Sequence, residues 1–286
     1  MSRSPEPRVV AQLSDRLGEG PLWVSSERRL WWFDIKGRRL SWHEPSTGSQ
    51  GSFDLPVRAS AAVVRQGGGL VLATERGLAA FDTRSGAFEL VQPHAFEPGF
   101  RTNDGKIGPD GAFWWSIMDD EGGTRPGAVF RTTPEWRTER VIEGVHIANA
   151  TAWTPNGERM FLADSKHGVI FAHDMADLSR RTTFVAAENG SPDGAAMDEE
   201  GFLWTAHWGG WRVVRYAPDG SVDRVVPVPV EQPTSCAFGG EDLCTLFVTS
   251  AWDELTPEAR QAQPLAGALF AFEPGVRGDP LPTFAG

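Results

Sequence analysis

The stretch GPLWVSSERRLWWFDIKGRRLSWHEPSTG, residues 20–48, contains the pattern that decides the fold. A short apolar segment leads into the polar turn SSERR, and the strongly apolar segment LWWFDI follows it. Successive side chains of a β-strand point to opposite faces, so Trp31 and Phe33 are expected to lie on the face opposite Leu30 and Trp32. A second polar turn then leads to a third apolar segment. The stretch therefore predicts an antiparallel meander of short strands.

The same plan occurs six times along the chain. The apolar second strand of each repeat begins near Leu30, Leu70, Phe113, Met160, Phe202 and Leu246. The period of about 40–47 residues is typical of propeller blades. Helical periodicity is confined to a turn or so within LTPEARQAQ. We therefore predict an all-β fold, a six-bladed β-propeller with a central channel, formed as a single domain by residues 1–286.

The apolar segment RVVAQL, Arg8 to Leu13, precedes the first repeat and has no partner within it. A propeller needs a closed ring, and an open strand edge invites aggregation. We expect this segment to add a strand to the last blade, beside GALFAF.

The composition excludes several classes of function. The net charge is −11 and no cluster of Lys and Arg stands out, which argues against nucleic acid and anionic membranes as partners. The chain has no apolar run long enough to span a membrane, and MSRSPEPRVV lacks a signal-peptide core. We expect a cytoplasmic monomer. Cys236 and Cys244 are too few for a metal cluster, and we expect both to be ordinary buried thiols.

Four polar residues occupy one phase of the repeat, about nine to eleven residues before the second strand. They are Glu19, Asn103, Asn149 and Asp193. In a propeller the starts of the innermost strands converge around one end of the channel, so we expect these side chains to meet there. Two carboxylates and two amides offer oxygen donors, which suit a hard divalent cation. The alternative is that Asp, Asn and Gly recur at this phase because they form turns.

Several motifs give the chain a resemblance to a known family. LGEGPLW, RTNDGK, ANATAWTPNG and SPDGAAMDEEGFLWTAHWGG, together with the C-terminal QAQPLAGALFAFEP, occur in order over nearly the whole sequence. In these motifs the chain resembles the gluconolactonase/regucalcin (senescence marker protein) family of sugar lactonases, and its bacterial aldonolactonase branch in particular. The resemblance implies a six-bladed propeller with one divalent metal ion in the channel, which we expect to be Ca, Zn, Mn, Mg or Fe.

The resemblance also implies roles for individual residues. Glu19, Asn149 and Asp193 are expected to bind the metal, and Asp193 is also expected to act as the catalytic base. Arg101 and Asn103, from RTNDGK, and Glu121, from MDDEGG, are expected to contact the substrate. The chain departs from the family at Ala150, where the motif usually has Gly after the Asn. If that Gly permits an unusual backbone angle, Ala150 would shift Asn149.

The function that the resemblance implies is metal-dependent hydrolysis of a sugar lactone to the sugar acid. A metal ion would polarise the lactone carbonyl, and Asp193 would accept a proton from the attacking water. A nucleophilic serine fits less well, because no G-x-S-x-G motif occurs. Two alternatives remain open: a paraoxonase-like esterase or phosphotriesterase on the same fold, and a non-catalytic propeller that binds a divalent metal.

Overall fold

The computed structural model describes residues 6–286, and in it four-stranded sheets form the six blades of a β-propeller. The predicted fold class is confirmed. Blades 1 to 3 comprise β2 (Gly18–Val24), β3 (Arg29–Asp34), β4 (Arg39–Glu44), β5 (Ser49–Asp54), β6 (Ala59–Val64), β7 (Leu70–Thr74), β8 (Gly77–Phe81), β9 (Phe88–Pro93), β10 (Phe100–Ile107), β11 (Phe113–Asp119), β12 (Gly127–Thr132) and β13 (Thr138–Val145).

Blades 4 to 6 follow the same plan, with one strand contributed from the start of the chain. They comprise β14 (Ala148–Trp153), β15 (Arg159–Asp164), β16 (Val169–Asp174), β17 (Asp177–Ala186), β18 (Ser191–Met197), β19 (Leu203–Trp208), β20 (Arg212–Tyr216), β21 (Val222–Pro227), β22 (Pro233–Gly239), β23 (Thr245–Ser250), β24 (Leu269–Phe272) and β1 (Arg8–Ala11). Strand β1 pairs antiparallel with β24, with Arg8 opposite Ala271 and Val9 opposite Phe270. The segment RVVAQL thus supplies the outermost strand of the last blade.

The second strand of each blade forms the packing core. Strands β7 and β11 are buried at every position, which explains their largely apolar sequences. Trp115 of β11 stacks on Phe130 of β12 with ring centroids 4.5 Å apart, and its indole N–H donates to Thr132 Oγ1 at 2.9 Å. Apolar clusters extend between neighbouring blades. One of them joins Trp31 of blade 1 to Leu72 of blade 2. Burial of large aromatic side chains between the sheets therefore holds the blades together.

The first, innermost strand of each blade has a different geometry, because its register with the second strand shifts near its start. This irregularity occurs in all six blades. The shifts fall between Glu19 and Leu22, Ala59 and Ala61, Thr102 and Gly105, Asn149 and Ala152, Pro192 and Ala195, and Pro233 and Ser235. A β-bulge bends its strand and re-aims the side chains beside it. The bulges therefore redirect side chains at the start of every innermost strand.

The remaining elements are few. The helix α1 (Pro257–Ala262) lies within LTPEARQAQ, and Thr256 caps it by accepting a hydrogen bond from Ala259 N at 3.2 Å. Within residues 6–286 no helix is both long and apolar enough for a membrane crossing. Both cysteines are free. Cys236 is buried as expected, but the expectation for Cys244 is wrong: it lies in the turn before β23 and is only half-buried.

Candidate metal centre

The four residues of the shared phase all lie near the starts of innermost strands. Glu19 is on β2, Asn103 on β10, Asn149 on β14 and Asp193 on β18, and each adjoins the bulge of its strand. The three residues on blades 3 to 5 are buried, and Glu19 is half-buried. The innermost strands begin at one end of the channel, which is called the site mouth below. Four blades therefore present polar side chains at the site mouth.

The carboxylates of Glu19 and Asp193 lie within hydrogen-bonding reach of each other. Burial, followed by the charge of Asp104, raises the pKa of Glu19 to about 8. Burial, followed by the charges of Glu19 and Asp104, also raises the pKa of Asp193. Two carboxylates this close repel each other unless a proton or a cation lies between them.

The oxygen Asp193 Oδ1 is buried and has no hydrogen-bond partner among residues 6–286. A buried carboxylate oxygen without a partner is costly, and a divalent cation would satisfy it. Among the described residues no group of three His, Cys, Asp or Glu side chains is placed to hold a metal ion. The donor set that fits a cation here is instead two carboxylates and the amide oxygen of Asn149, all of them hard ligands.

A chain of amide hydrogen bonds joins blades 3, 4 and 5. Asn103 Nδ2 donates to Asn149 Oδ1 and to Ala148 O, both at 3.0 Å. Asn149 Nδ2 donates to Ser165 Oγ at 2.9 Å, and that hydroxyl donates to Pro192 O at 2.6 Å. The Asn149 side chain is thus fixed from both sides, and one lone pair of its oxygen remains for a ligand.

The residue after Asn149 takes the left-handed conformation although it is not glycine. Ala150 has φ of 52°, close to the 57° of Gly20, which follows Glu19 in blade 1. Gly20 has no room for a Cβ atom, which would lie 2.3 Å from Ser60 O, whereas the methyl of Ala150 is accommodated in the core. The departure from the family motif therefore leaves the local backbone of blade 4 left-handed, as it is in blade 1.

Arg101 connects this centre to the surrounding loops. Its Nη1 donates to Asn103 Oδ1 at 2.7 Å and to Thr102 O at 2.9 Å, and its Nε donates to Asp120 Oδ1 at 2.7 Å. Arg101 and Asn103 are therefore brought together as the sequence predicted. Glu121 follows in the turn after β11 and is exposed, so it lies further out than the other predicted residues.

Asp104 and Asp120 are site residues that the sequence analysis missed. Asp104 Oδ2 accepts from Thr151 N at 2.8 Å and its Oδ1 accepts from Gly105 N at 2.9 Å. Its charge helps to raise the pKa of Glu19 and Asp193. The tripeptide NDG is typical of a turn, yet here it lies inside β10 at the bulge. The sequence signal that could have identified Asp104 is its place directly after Asn103, which occupies the shared phase of the repeat.

A cavity of about 750 Å³ lies further along the innermost strands, and none of Glu19, Asn149 and Asp193 lines it. Asp104 and Lys106 lie on its boundary, and Lys106 Nζ donates to Ala195 O. Burial lowers the pKa of Lys106. Asp104 therefore borders the cavity, whereas the three predicted metal ligands do not.

Comparisons with known proteins agree with the fold. The family model of the SMP-30/gluconolactonase/LRE-like region matches residues 17–252, so the chain belongs to this family. It is 33% identical to a 6-deoxy-6-sulfogluconolactonase of Pseudomonas putida over 98% of each chain. It is 36% identical to an L-arabinolactonase of Azospirillum brasilense, over 97% of this chain and 95% of that one.

A solved structure is similar over the same extent. It is a calcium-binding protein, regucalcin, from Agrobacterium tumefaciens, with a TM-score of 0.92 and 29% identity over 98% of each chain. The family resemblance seen in the sequence motifs is therefore confirmed.

Proposed function

We propose that the protein is a sugar lactonase, a hydrolase that opens the ester ring of an aldonolactone to give the sugar acid. The relatives named as lactonases support this proposal. The observation on which it depends most is the contact between Glu19 and Asp193, with one buried oxygen of Asp193 left without a partner in the described chain. A pair of polar side chains, Arg101 and Asn103, lies beside it.

Glu19, Asn149 and Asp193 would hold one divalent metal ion. The calcium-binding relative favours Ca²⁺, and an all-oxygen donor set also accepts Mg²⁺ or Mn²⁺. A bound divalent ion supplies Lewis acidity toward the lactone carbonyl. Zn²⁺ and Fe²⁺ stay among the ions to be tested.

Asp193 is the base in this proposal. Its carboxylate would contact the metal ion and would also accept a proton from the water molecule that attacks the lactone carbonyl. Positioned acid–base catalysis of this kind contributes about 10²–10⁴-fold. Burial, followed by the charges of Glu19 and Asp104, raises the pKa of Asp193 and hence the proton affinity of this base.

Arg101 and Asn103 orient the substrate. Both N–H bonds of the Asn103 amide are used by Ala148 and Asn149, so Asn103 can offer a substrate hydroxyl only the remaining lone pair of its oxygen. Arg101 uses Nε and Nη1 within the protein, which leaves Nη2 as the donor toward the sugar. We assign Glu121 to the outer part of the substrate. The monomeric state and the cytoplasmic location stay predictions.

The test is a pH-indicator assay on a panel of aldonolactones, with pentonolactones and hexonolactones compared against a no-enzyme control. The protein is first stripped with a chelator and then reloaded with one metal ion at a time. We expect hydrolysis to be lost on stripping and restored by more than one ion. Hydrolysis that survives with under-stoichiometric metal would contradict the role of the metal centre.

The same assay decides between the proposed function and its alternatives. Faster hydrolysis of an aryl ester or an organophosphate than of any lactone would favour the esterase. Stoichiometric metal binding without turnover of any substrate in the panel would favour the non-catalytic propeller.

A further inference from the structure

Three cations and two carboxylates form a connected network at the site mouth, called the mouth network here. Its members are Lys36, Arg58, Glu75, Arg101 and Asp120. Lys36 follows β3, Arg58 precedes β6, Glu75 follows β7 and Asp120 follows β11, so all four belong to turns or strand ends at the site mouth. Arg101 links them to Asn103 and hence to the candidate metal centre.

One carboxylate is shared among the three cations. Asp120 Oδ1 accepts from Lys36 Nζ at 2.8 Å and from Arg101 Nε at 2.7 Å, and its Oδ2 accepts from Arg58 Nη1 at 2.7 Å. Glu75 binds Arg58 alone, through Nε at 2.6 Å and the backbone N at 3.0 Å. The mouth network therefore has one positive charge in excess, in a chain whose net charge is −11.

The network also has more donors than acceptors. Within residues 6–286 no hydrogen bond uses Arg58 Nη2 or Arg101 Nη2, and the ammonium of Lys36 makes one of the three bonds that it can donate. The side chains of Lys36 and Arg58 keep 20% and 24% of their surface exposed, so a ligand in the site mouth can reach them. Burial opposes ionisation of Asp120, but Lys36 and Arg101 hold its pKa well below the ordinary value.

We propose that the mouth network recognises an anionic group on the substrate, so that the preferred lactone has a sulfonate, phosphate or carboxylate on its exocyclic carbon. Two guanidinium groups and an ammonium that converge from three blades provide the charge-assisted donors that such an oxyanion needs. Arg101 is shared by the network and the candidate metal centre, which places the anionic group at one end of the lactone and the carbonyl at the other.

This inference rests on the proposed lactonase function, and its test is a ratio of specificity constants. The value of kcat/KM is measured for gluconolactone and for the same lactone with a phosphate on carbon 6, at low ionic strength. We expect the metal-loaded protein to favour the charged lactone by about tenfold or more, since each hydrogen bond to a charged group is worth about that factor. Added salt should reduce the preference, because exposed charges are screened.

Substitution of a cation and substitution of a carboxylate in the mouth network should change the ratio of the two kcat/KM values in opposite directions. Arg58→Gln and Lys36→Gln are expected to lower it about tenfold each, because each removes a cation. Glu75→Gln removes a competing carboxylate from Arg58 and is expected to raise it severalfold. The matched control is Arg28→Gln, because Arg28 pairs with Glu241 at 2.8 Å in a turn at the opposite end of the innermost strands. Thermal melting of each variant checks that the fold is retained.

The outcomes separate this inference from the proposed function. Equal hydrolysis of both lactones by the wild type would overturn the inference and leave the lactonase proposal intact. An equal fall in kcat/KM for both lactones in Arg58→Gln would also overturn the inference. Arg58 would then act only by holding Asp120 and Arg101 in place. A protein that hydrolyses neither lactone with any divalent ion would contradict the lactonase proposal itself.

Discussion

The first and second strands of each blade are neighbours in one sheet, yet they differ in regularity. The second strands β7 and β11 are buried throughout and keep an unbroken register with the third strands. The first strands all contain a register shift near their start. A bulge gives up ladder hydrogen bonds and re-aims side chains. The second strands therefore supply packing that stabilises the fold, and the first strands position the polar side chains of the site. Substitutions in the two kinds of strand should then change stability and activity separately.

The largest effect is expected in a second strand. Trp115→Ala removes a fully buried indole that stacks on Phe130 and donates to Thr132, so the free energy of unfolding should fall by about 3–5 kcal/mol. Urea denaturation measures it. The matched control is Trp211→Ala, because Trp211 is 43% exposed and its loss should cost less than about 0.5 kcal/mol. A similar loss of unfolding free energy in the two variants would show that burial in the second strand does not determine the size of the effect.

A substitution in a first strand should affect chemistry instead of stability. Asp193→Asn keeps the shape of the side chain and removes the base, so kcat should fall at least about a hundredfold even with excess metal. Calorimetric titration should show weaker metal binding, and the melting temperature should stay near that of the wild type. Asn103→Ala is the comparison variant, with an expected loss of one to two decades in kcat/KM. Near-normal turnover by Asp193→Asn would show that Asp193 is not the catalytic base.

A buried polar residue in a second strand should affect the stability of the fold. His207 of β19 is fully buried, with Nδ1 2.9 Å from Asn189 O and Nε2 3.1 Å from Tyr216 Oη. Burial lowers its pKa from 6.5 to about 4, so the folded state holds it neutral. The unfolded chain then binds more protons at acid pH, and stability is lost as the pH falls from 6.5 toward 4.

The pH dependence can be isolated by comparing two proteins. Between pH 7 and pH 5 the wild type should lose about 2 kcal/mol more than His207→Gln, because the glutamine does not titrate. Urea denaturation of both proteins at the two pH values gives the difference, and the other histidines cancel. Equal losses in the two proteins would mean that His207 is not held neutral.

The smallest effect is expected at the bulge of blade 4. Ala150→Gly relieves a left-handed alanine, worth about 1 kcal/mol, but removes a buried methyl group worth about 0.8 kcal/mol. The free energy of unfolding should therefore change by less than about 0.5 kcal/mol. Gly20→Ala, at the corresponding bulge of blade 1, should cost more than about 1 kcal/mol because its Cβ would meet Ser60 O at 2.3 Å. Equal effects of the two substitutions would show that Ser60 O does not exclude a methyl group at position 20.

The second strands could be predicted from the sequence because burial leaves a continuous apolar run, as in LWWF of β3. The repeat phase then identified Glu19, Asn103, Asn149 and Asp193 as a group. The bulges could not be predicted, because a register shift depends on the partner strand and leaves no fixed residue type. Asp104, at the bulge of β10, was therefore not identified as a site residue.

The mouth network was missed for a similar reason. Apart from Arg101 of β10, its residues belong to turns or strand ends of blades 1, 2 and 3. Nothing in their local sequence shows that Lys36 and Arg58 share one carboxylate. Such contacts follow from the arrangement of the blades around the channel. Long-range pairing of charges is thus the part of the site that local sequence does not determine.

The pairing of β1 with β24 has a consequence for the order of folding. Blades 1 to 5 are each built from consecutive strands, so each can form as soon as its residues leave the ribosome. The last blade must wait, because Arg8 is synthesised first and its partner Ala271 about 260 residues later. Closing so long a loop in an unstructured chain costs about 5 kcal/mol of entropy, and the blades already formed reduce that cost. Since Glu19 and Asp193 come from blades 1 and 5, tight cation binding should appear only at this last step of assembly.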